Sequence, residues 1–317
     1  MGHSRVHLWF IGPAVILMMG LLIFPVFVAA FLSFTDYNLG NPSFNWIGVE
    51  NYDRLVTRST YKKMFTASLT YVLLVVPISV ALGLGAALLI SSLRIGGELY
   101  KAVFFLPVMA TLLAMAIVWE FALHPIVGVV NDILRSGCDV GLLHALLSGS
   151  WLGGDPLQSW YGHACAEDFP LWLGDKDYAL GTIAFIGIWQ GFGFNMVLYL
   201  AGLTSVPREL YQAAHMDGAD SAWERFRLVT WPMLGPTNVF VVTISSIRSF
   251  QVFDTVEALT RGGPAKSTYV MVYAMFEKGV KQNLLGIGSA ITIVFLGFVL
   301  ILTLIQVYFV NRRVHYA

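Results

Sequence analysis

The chain has 317 residues, of which 57% are hydrophobic and 12% are charged, and its mean hydropathy is +0.70. A soluble protein of this length cannot bury so much apolar surface, so the composition excludes an ordinary water-soluble domain and predicts a protein solvated by lipid. The 19 basic residues balance the 19 acidic ones and are scattered along the chain, which argues against nucleic-acid binding.

Six stretches that are almost free of charge are long enough to cross a hydrocarbon core of ~30 Å as helices. In chain order they cover residues 8–34, 64–90, 102–123, 178–206, 232–253 and 284–310. No alternating strand pattern is present, so helices are the expected spanning form. The predicted fold class is therefore all-α, a polytopic membrane protein with about six transmembrane helices in a single domain, residues 1–317.

A long polar segment, residues 124–177, separates the third and fourth predicted spans. Basic residues are denser in the segments that face inward when both termini are inside, although the outward segments hold more of them in total. Because basic residues favour the inner side, we expect both termini inside and residues 124–177 outside. An external loop permits a disulfide, and the sequence leaves open whether Cys138 and Cys165 pair or remain as two thiols.

The fourth predicted span carries polar side chains, which are costly in lipid and therefore mark candidate sites. Asn195 and Tyr199 lie four residues apart and share a helix face, with Trp189 and Gln190 a turn away. Amides can bind sugar hydroxyl groups and aromatic rings can pack on sugar C–H surfaces. Alternatively, Asn195 and Gln190 only form hydrogen bonds between helices.

Residues 207–231 carry the signals of two short helices joined at a glycine, an arrangement that we call the helical hairpin. Pro207 suits the first turn of a helix, and Glu209 in that turn complements the helix dipole. Gly218 is the residue type preferred just past a helix end. We therefore expect a rigid hairpin with its hinge at Gly218, on the inner side of the membrane.

The second helix of the hairpin has its own start signal. Ser221 is followed three residues later by Glu224, which is the capping-box pattern. Pro232 is expected to close the segment before the fifth span begins, because proline disrupts a continuing helix.

Arg248 is the most informative polar residue of the fifth predicted span. A central arginine costs about 2.5–3.5 kcal/mol on insertion scales and needs a partner or a wet cavity. On a continuous helix, Arg248 shares a face with Ser245, with Gln251 or Val252, and with Thr255. Alternatively, Arg248 only forms an ion pair, for which the candidate partners are Glu120, Asp254 and Glu257. The predicted substrate-path residues are Gln190, Asn195, Tyr199, Arg248, Gln251 and Thr255.

The hairpin resembles the coupling loop of ABC-importer permeases, whose signature begins Glu-Ala-Ala-x-x-x-Gly and ends in Leu-Pro. The matching residues here are Gln212-Ala213-Ala214, Asp217-Gly218-Ala219, Phe226 and Trp231-Pro232. Two departures are visible, since Gln212 replaces the usual glutamate and the spacing from the glycine to the proline is one residue longer, near Asp220.

Further similarity to the carbohydrate-uptake permeases, the maltose-type family, extends over most of the chain. It is carried by residues 32–37, 44–52, 104–107, 189–196, 250–254 and 259–264. Residues 135–178 form a longer loop than is usual in that family, and contact with a binding protein is one option for it. The resemblance implies a type I importer permease fold with a cytoplasmic coupling loop at residues 204–232.

This resemblance also implies partners and a location. A dimer of ATP-binding subunits, which would hold the ATP and Mg, is expected to dock on the coupling loop. A second related permease would complete the pathway, an extracytoplasmic binding protein would deliver a carbohydrate, and the membrane would be the bacterial cytoplasmic (inner) membrane. The residues implied in coupling to the ATPase are Glu209, Gln212, Ala213, Ala214, Asp217, Gly218, Ala219 and Phe226.

Two other classes of function fit the sequence less well. A secondary transporter or channel is expected to show repeated halves and several acids within its spans, and neither is evident. An enzyme would need a catalytic pattern such as HExxH or GxSxG, and a nucleotide site would need GxxxxGK[ST]; none of these occurs in the sequence. We expect no cofactor and no metal ion on this chain.

Overall fold

The computed structural model of the protein describes residues 4–93, 95–139 and 170–313. Within these ranges the chain forms helices joined by turns and bends, with one isolated bridge between Thr35 and Trp46. The helices of the first half are α1 (Ser4–Met18), α2 (Phe24–Leu32), α3 (Glu50–Thr57), α4 (Ser59–Ser92), α5 (Gly97–Met109), α6 (Leu112–Ala122) and α7 (Val129–Asp139).

The second half continues with eight α-helices among the described residues. They are α8 (Ala179–Thr204), α9 (Arg208–Met216), α10 (Ala222–Arg225), α11 (Trp231–Met233), α12 (Gly235–Phe250), α13 (Asp254–Leu259), α14 (Met271–Phe276) and α15 (Leu285–Arg313). Three π-helical turns, Met19–Ile23, Phe226–Thr230 and Glu277–Lys281, interrupt or extend these helices.

The predicted membrane spans are confirmed as long apolar helices. In the described part of the chain, five segments are long and apolar enough to cross a membrane: Ile11–Leu32, Ser59–Ser92, Ala179–Thr204, Gly235–Leu259 and Leu285–Gln306. A sixth is obtained if the pair Gly97–Met109 and Ala114–Ala122 counts as one span. The fold class predicted from composition, an all-α polytopic membrane protein with about six spans, therefore holds.

The third predicted span is not one straight helix. Its two halves are bent by 98° because Ala110 and Thr111 adopt extended conformations, with ψ angles of 138° and 140°. Pro107 lies three residues before this break, inside α5. A proline in a helix interior lacks the N–H that would bond to the preceding turn, which weakens the helix just where it ends.

Residue contacts divide the chain into two compact units. One comprises the residues up to 65 together with Met271–Ile305, and the other comprises Thr66–Val270 together with the residues from Gln306 onward. In the first unit, the loop after α2 is held to the start of α15, since the N–H of Leu39 donates to Asn283 O at 2.8 Å and that of Gly286 donates to Tyr37 O at 2.9 Å.

The second unit is organised around α8, which packs against α5 and α12. Glycine permits this close packing. A Cβ atom at Gly83 of α4 would lie 2.7 Å from Asn195 Cβ, and one at Gly202 of α8 would lie 2.6 Å from Thr237 Oγ1. The apolar core beside these contacts is formed by Ala87, Ile90, Met196, Tyr199, Leu234 and Val241.

Candidate functional site

The helical hairpin is built as its local sequence predicts, with a hinge at Gly218. Helix α9 begins after Pro207 and ends before Asp217. Gly218 has φ = +91°, a conformation that costs glycine little and other residues more. The N–H of Ala219 then donates to Ala214 O at 2.9 Å, which closes the end of the first helix.

The second helix starts with the predicted capping box. Glu224 N donates to Ser221 Oγ at 3.1 Å, and Ser221 N donates to Glu224 Oε2 at 2.9 Å. Hydrogen bonding from Ser221, chiefly from its backbone N–H, holds the pKa of Glu224 below its ordinary value of 4.5. The two orphan N–H groups at the helix start are therefore satisfied within the hairpin itself.

The end of the hairpin differs from the prediction. Pro232 does not close the segment, because α10 continues through the π-helical turn Phe226–Thr230 into α11, where Pro232 occupies the first turn. Proline is tolerated in a first turn, where its missing N–H would have no helical partner. The hairpin is therefore nearly continuous with α12, which begins at Gly235.

Cross-links and stacked rings make the hairpin stiff. Tyr211 Oη of the first helix lies 3.0 Å from Thr230 Oγ1 of the π-helical turn, and one hydroxyl donates to the other. His215 Nδ1 lies 2.9 Å from Asp220 Oδ1 across the hinge. These contacts hold the two helices of the hairpin together.

The surface of the hairpin exposes large apolar side chains. Met216 is 87% exposed, Trp223 68% and Leu228 62%. Trp223 stacks on Phe226 with ring centroids 5.5 Å apart. Exposed apolar groups at the tip of a polar hairpin are typical of a surface that a partner covers.

The eight residues implied in coupling occupy different environments. Ala214 and Phe226 are half-buried, and Ala219 is buried, so Ala219 belongs to the turn rather than to an accessible surface. The exposed members are Glu209, Gln212, Ala213, Asp217 and Gly218. Sequence comparison missed Met216 and Trp223, although each is a large apolar residue within a polar segment.

A polar cavity of about 250 Å³ lies within the second unit. It is bounded by α4, α8, α12 and the residues that follow α12. Five of the six predicted substrate-path residues line it, together with the side chains of Tyr71, Phe194, Phe253 and Asp254. The lining residues from the prediction are Gln190, Asn195, Arg248, Gln251 and Thr255.

Asn195 ties three helices together at the wall of this cavity. Its side chain, 2% exposed, donates from Nδ2 to Ser79 Oγ at 3.3 Å and accepts at Oδ1 from Ser245 Oγ at 2.8 Å. The interhelical hydrogen-bonding alternative is therefore correct for Asn195. Because its amide is hydrogen-bonded to α4 and α12, Asn195 fixes the cavity wall and offers the cavity no free hydrogen-bonding group.

Arg248 is exposed in the structure and lines the cavity. Its guanidinium carbon lies 4.4 Å from the centroid of the Phe194 ring, a cation–π contact. Within residues 4–93, 95–139 and 170–313, no carboxylate lies within 4.0 Å of Arg248, so the proposed ion pairs with Glu120, Asp254 or Glu257 are not formed. The charge is left available on the cavity side.

The predicted continuous polar face from Ser245 to Thr255 is wrong. Helix α12 ends at Phe250, three non-helical residues follow, and Thr255 belongs to α13. Arg248, Gln251 and Thr255 nevertheless meet at one cavity because the chain turns after α12. Sequence spacing alone could not reveal that turn.

Tyr199 does not line the polar cavity. It is 1% exposed and packs in the apolar core with Met196 and Val241. The question of whether Cys138 and Cys165 pair, which the sequence leaves open, falls outside the described residues because Cys165 lies in the gap at 140–169, as does the greater part of residues 124–177.

Comparisons with known proteins agree with this architecture. Residues 60–315 match the family described as binding-protein-dependent transport system inner membrane component. The chain is 30% identical over 311 residues to the probable ABC transporter permease protein YesP of Bacillus subtilis, and the match covers 97% of this chain and 91% of that protein.

Two solved structures share the fold. A chain of a bacterial ABC transporter involved in the import of the acidic polysaccharide alginate gives a TM-score of 0.75 at 21% identity, covering 96% of each chain. A chain of the bacterial alginate ABC transporter in complex with an alginate pentasaccharide-bound periplasmic protein gives 0.73 at 20% identity, covering 98% of this chain and 93% of that one. These likenesses confirm the predicted importer permease fold.

Because one family model matches residues 60–315, which is more than half of the chain, this protein belongs to the binding-protein-dependent transport system inner membrane components.

Proposed function

We propose that this chain is the membrane-spanning permease subunit of an ATP-driven importer that carries a sugar or oligosaccharide across the bacterial cytoplasmic membrane. Both termini and the hairpin face the cytosol, and residues 124–177 face outward. A separate dimer of ATP-binding subunits holds ATP and Mg, and a second related permease completes the pathway. The chain acts as a conduit and a transmission element, not as a catalyst.

The observation that carries this proposal is the hairpin hinged at Gly218. Its tip exposes Met216 and Trp223, while hydrogen bonds and stacked rings stiffen the body behind them. A stiff element with an apolar tip, nearly continuous with α12, can pass a displacement of an ATPase subunit to the helix that carries Arg248. Family membership supplies the expectation of such a partner.

The polar cavity supports a hydroxylated substrate. Gln190 and Gln251 offer amide donors and acceptors, Thr255 offers a hydroxyl, and Phe194 and Phe253 offer aromatic rings. Sugars need both kinds of contact, with hydrogen bonds to hydroxyl groups and ring faces against C–H surfaces. Arg248 favours an acidic or highly hydroxylated member of this class, consistent with the acidic polysaccharide named for a structural relative.

The binding protein is a further proposed partner. The related alginate transporter has been solved in complex with a substrate-bound periplasmic protein, and the family description includes dependence on a binding protein. Delivery from such a protein would bring substrate to the outer end of the spans.

Substitution of Gly218 by tryptophan tests the coupling role. We expect Gly218→Trp to abolish co-purification with the ATPase subunit, because the new side chain occupies the hinge surface and the positive φ disfavours any residue with a Cβ. Gly40→Trp is the matched control, since Gly40 also has a positive φ (+102°) and open space around it, as Gly218 does. Retention of the ATPase by Gly218→Trp at the level of Gly40→Trp would contradict the proposal.

A further inference from the structure

A second cavity, of about 780 Å³, lies where α4 and α8 end and where α5 and α9 begin. We call it the amphipathic cavity. Its volume falls within the ~300–1,000 Å³ typical of ligand sites. Since all of these helix ends belong to the second unit, the cavity is a feature of a single packed body.

The amphipathic cavity is separate from the polar cavity. Both are lined by α8, but the polar cavity uses Phe194 and Asn195, and the amphipathic cavity uses Leu203 and Thr204. The polar cavity is lined by residues 187–195 of α8 and the amphipathic cavity by residues 200–204, and the two cavities share no lining residue. The amphipathic cavity is therefore not part of the proposed substrate path.

One wall of the amphipathic cavity is apolar and its rim is basic. Arg208, the first residue of α9, is exposed and forms no ion pair with any residue in the described ranges. Lys101 is paired with Glu98 at 2.8 Å, so Arg208 is the basic residue without an ion pair among the described residues that line the cavity. The apolar wall consists of Ile90, Leu93, Leu200, Leu203 and Val206.

The surroundings of the cavity indicate which phase it faces. Ile95, next to the rim residue Gly96, is 90% exposed, and Leu99 and Leu93 are 68% and 45% exposed. Exposed aliphatic side chains at the ends of membrane-spanning helices are typical of a surface that lipid or a partner protein covers. The aliphatic border and the charged arginine together match the two parts of a phospholipid, its acyl chains and its phosphate.

We propose that the amphipathic cavity binds an anionic phospholipid of the cytoplasmic leaflet, with an acyl chain along the leucine wall and the phosphate at Arg208. Basic pockets between transmembrane helices on the cytoplasmic side are suited to acidic head groups. Since Arg208 opens the first helix of the hairpin, a lipid held there fixes the hairpin base against the membrane surface. The cytoplasmic placement rests on the proposed function.

Native mass spectrometry of the purified full-length chain in detergent tests this site, with phosphatidylglycerol and phosphatidylcholine as probes. We expect retention of one phosphatidylglycerol in preference to phosphatidylcholine. Arg208→Gln should weaken that retention about fivefold, as expected for loss of one basic contact at ~1 kcal/mol. Arg227→Gln, an exposed arginine that does not line the cavity, should leave it unchanged.

A second variant addresses the apolar wall. Leu203→Trp should weaken retention of phosphatidylglycerol because the larger side chain takes up space along the apolar wall where the acyl chain lies, and Arg208→Gln keeps the test valid if the tryptophan variant fails to fold. Equal retention of phosphatidylcholine, or unchanged binding in Arg208→Gln, would overturn the proposal. Equally tight binding of glycerol phosphate without acyl chains would show a soluble anion to be the ligand instead. None of these measurements involves the ATPase or the substrate, so their failure is distinct from failure of the proposed transport function.

Discussion

Two residues that line the polar cavity, Asn195 and Arg248, differ in what their side chains contact. Asn195 is satisfied by Ser79 and Ser245 and locks three helices. Arg248, one turn of α12 beyond Ser245, has only the face of Phe194 as its partner among the described residues. A buried amide needs both hydrogen-bond partners, whereas a cavity-facing guanidinium can keep donors for a ligand. The first residue therefore builds the cavity wall and the second gives the cavity its charge.

Removal of the Arg248 charge should weaken substrate passage. We expect Arg248→Gln to lower uptake at limiting substrate by about tenfold or more, because a hydrogen bond to a charged group contributes ~1.5–3 kcal/mol. Arg248→Lys should recover part of the loss. The measurement is uptake into proteoliposomes with an alginate oligomer and a neutral oligosaccharide of equal length as probes.

A control separates this effect from a general loss of positive charge. Arg54→Gln removes a surface arginine that pairs with Glu50 on the same helix and should leave uptake unaltered. Uptake by Arg248→Gln equal to that of Arg54→Gln would remove Arg248 from the substrate path.

At the scale of elements, the helical hairpin owes its shape to local chemistry. A glycine with positive φ, a serine cap and a returning glutamate define two helices without help from the rest of the chain. Among the described residues, the Tyr211–Thr230 hydrogen bond links the first helix to the π-helical turn. Such an element can form early and keep its shape while the spans around it move.

The capping box makes the second helix sensitive to acid. The pKa of Glu224 is lowered in the folded hairpin, so the unfolded form takes up a proton first as the pH falls. The stabilisation is present above the ordinary pKa of 4.5 and is lost as the pH falls through the lowered value. We expect protection of the Ser221 and Glu224 amides, which form the capping box, from hydrogen exchange, corrected for the intrinsic rate, to decline over that interval.

Two variants define the source of this acid sensitivity. Glu224→Gln should remove the pH dependence, while Glu209→Gln, an exposed acid outside the capping box, should preserve it. Ser221→Ala should destabilise the helix start by about 1 kcal/mol at neutral pH. The same decline in protection for Glu224→Gln would mean that another group is responsible.

At the scale of the whole molecule, close helix approach stabilises the second unit. Large apolar side chains on the spans face lipid, as the exposed Leu69, Leu73 and Leu82 of α4 illustrate. Between helices in lipid there is little hydrophobic driving force, so small residues that allow tight packing and interhelical hydrogen bonds carry the association. Gly83, directly against Asn195, combines the two devices in one place.

Two glycines of α4 allow a matched test of this packing. A Cβ at Gly83 would lie 2.7 Å from Asn195 Cβ, whereas Gly85 has no atom within 4 Å of the corresponding position. We expect Gly83→Ala to destabilise the protein by about 1–3 kcal/mol through overpacking, and Gly85→Ala to be neutral or slightly stabilising through helix propensity. Thermal unfolding of the two variants in detergent measures the difference, and equal midpoints would show that α4 and α8 adjust without cost.

The membrane spans and the hairpin could be predicted from the sequence because both depend on signals that lie close together along the chain. The thickness of the hydrocarbon core sets the minimum length of an apolar run that can span the membrane as a helix. The capping box and the Gly218 hinge involve residues only a few positions apart. The break in the third span and the continuation through Pro232 were not predictable in the same way. Proline is tolerated in the first turn of a helix and disrupts its interior, and the sequence does not reveal which of these positions a given proline occupies.

The contacts between polar residues of different spans became visible in the folded structure. Ser79, Asn195 and Ser245 come from three spans, and Thr255 reaches the polar cavity after a turn that helical spacing did not anticipate. Tyr199, four residues from Asn195, faces the core instead. The helical period shows which residues of one helix share a face. Which other helix that face contacts depends on packing between segments that are distant in sequence, so the period does not reveal it.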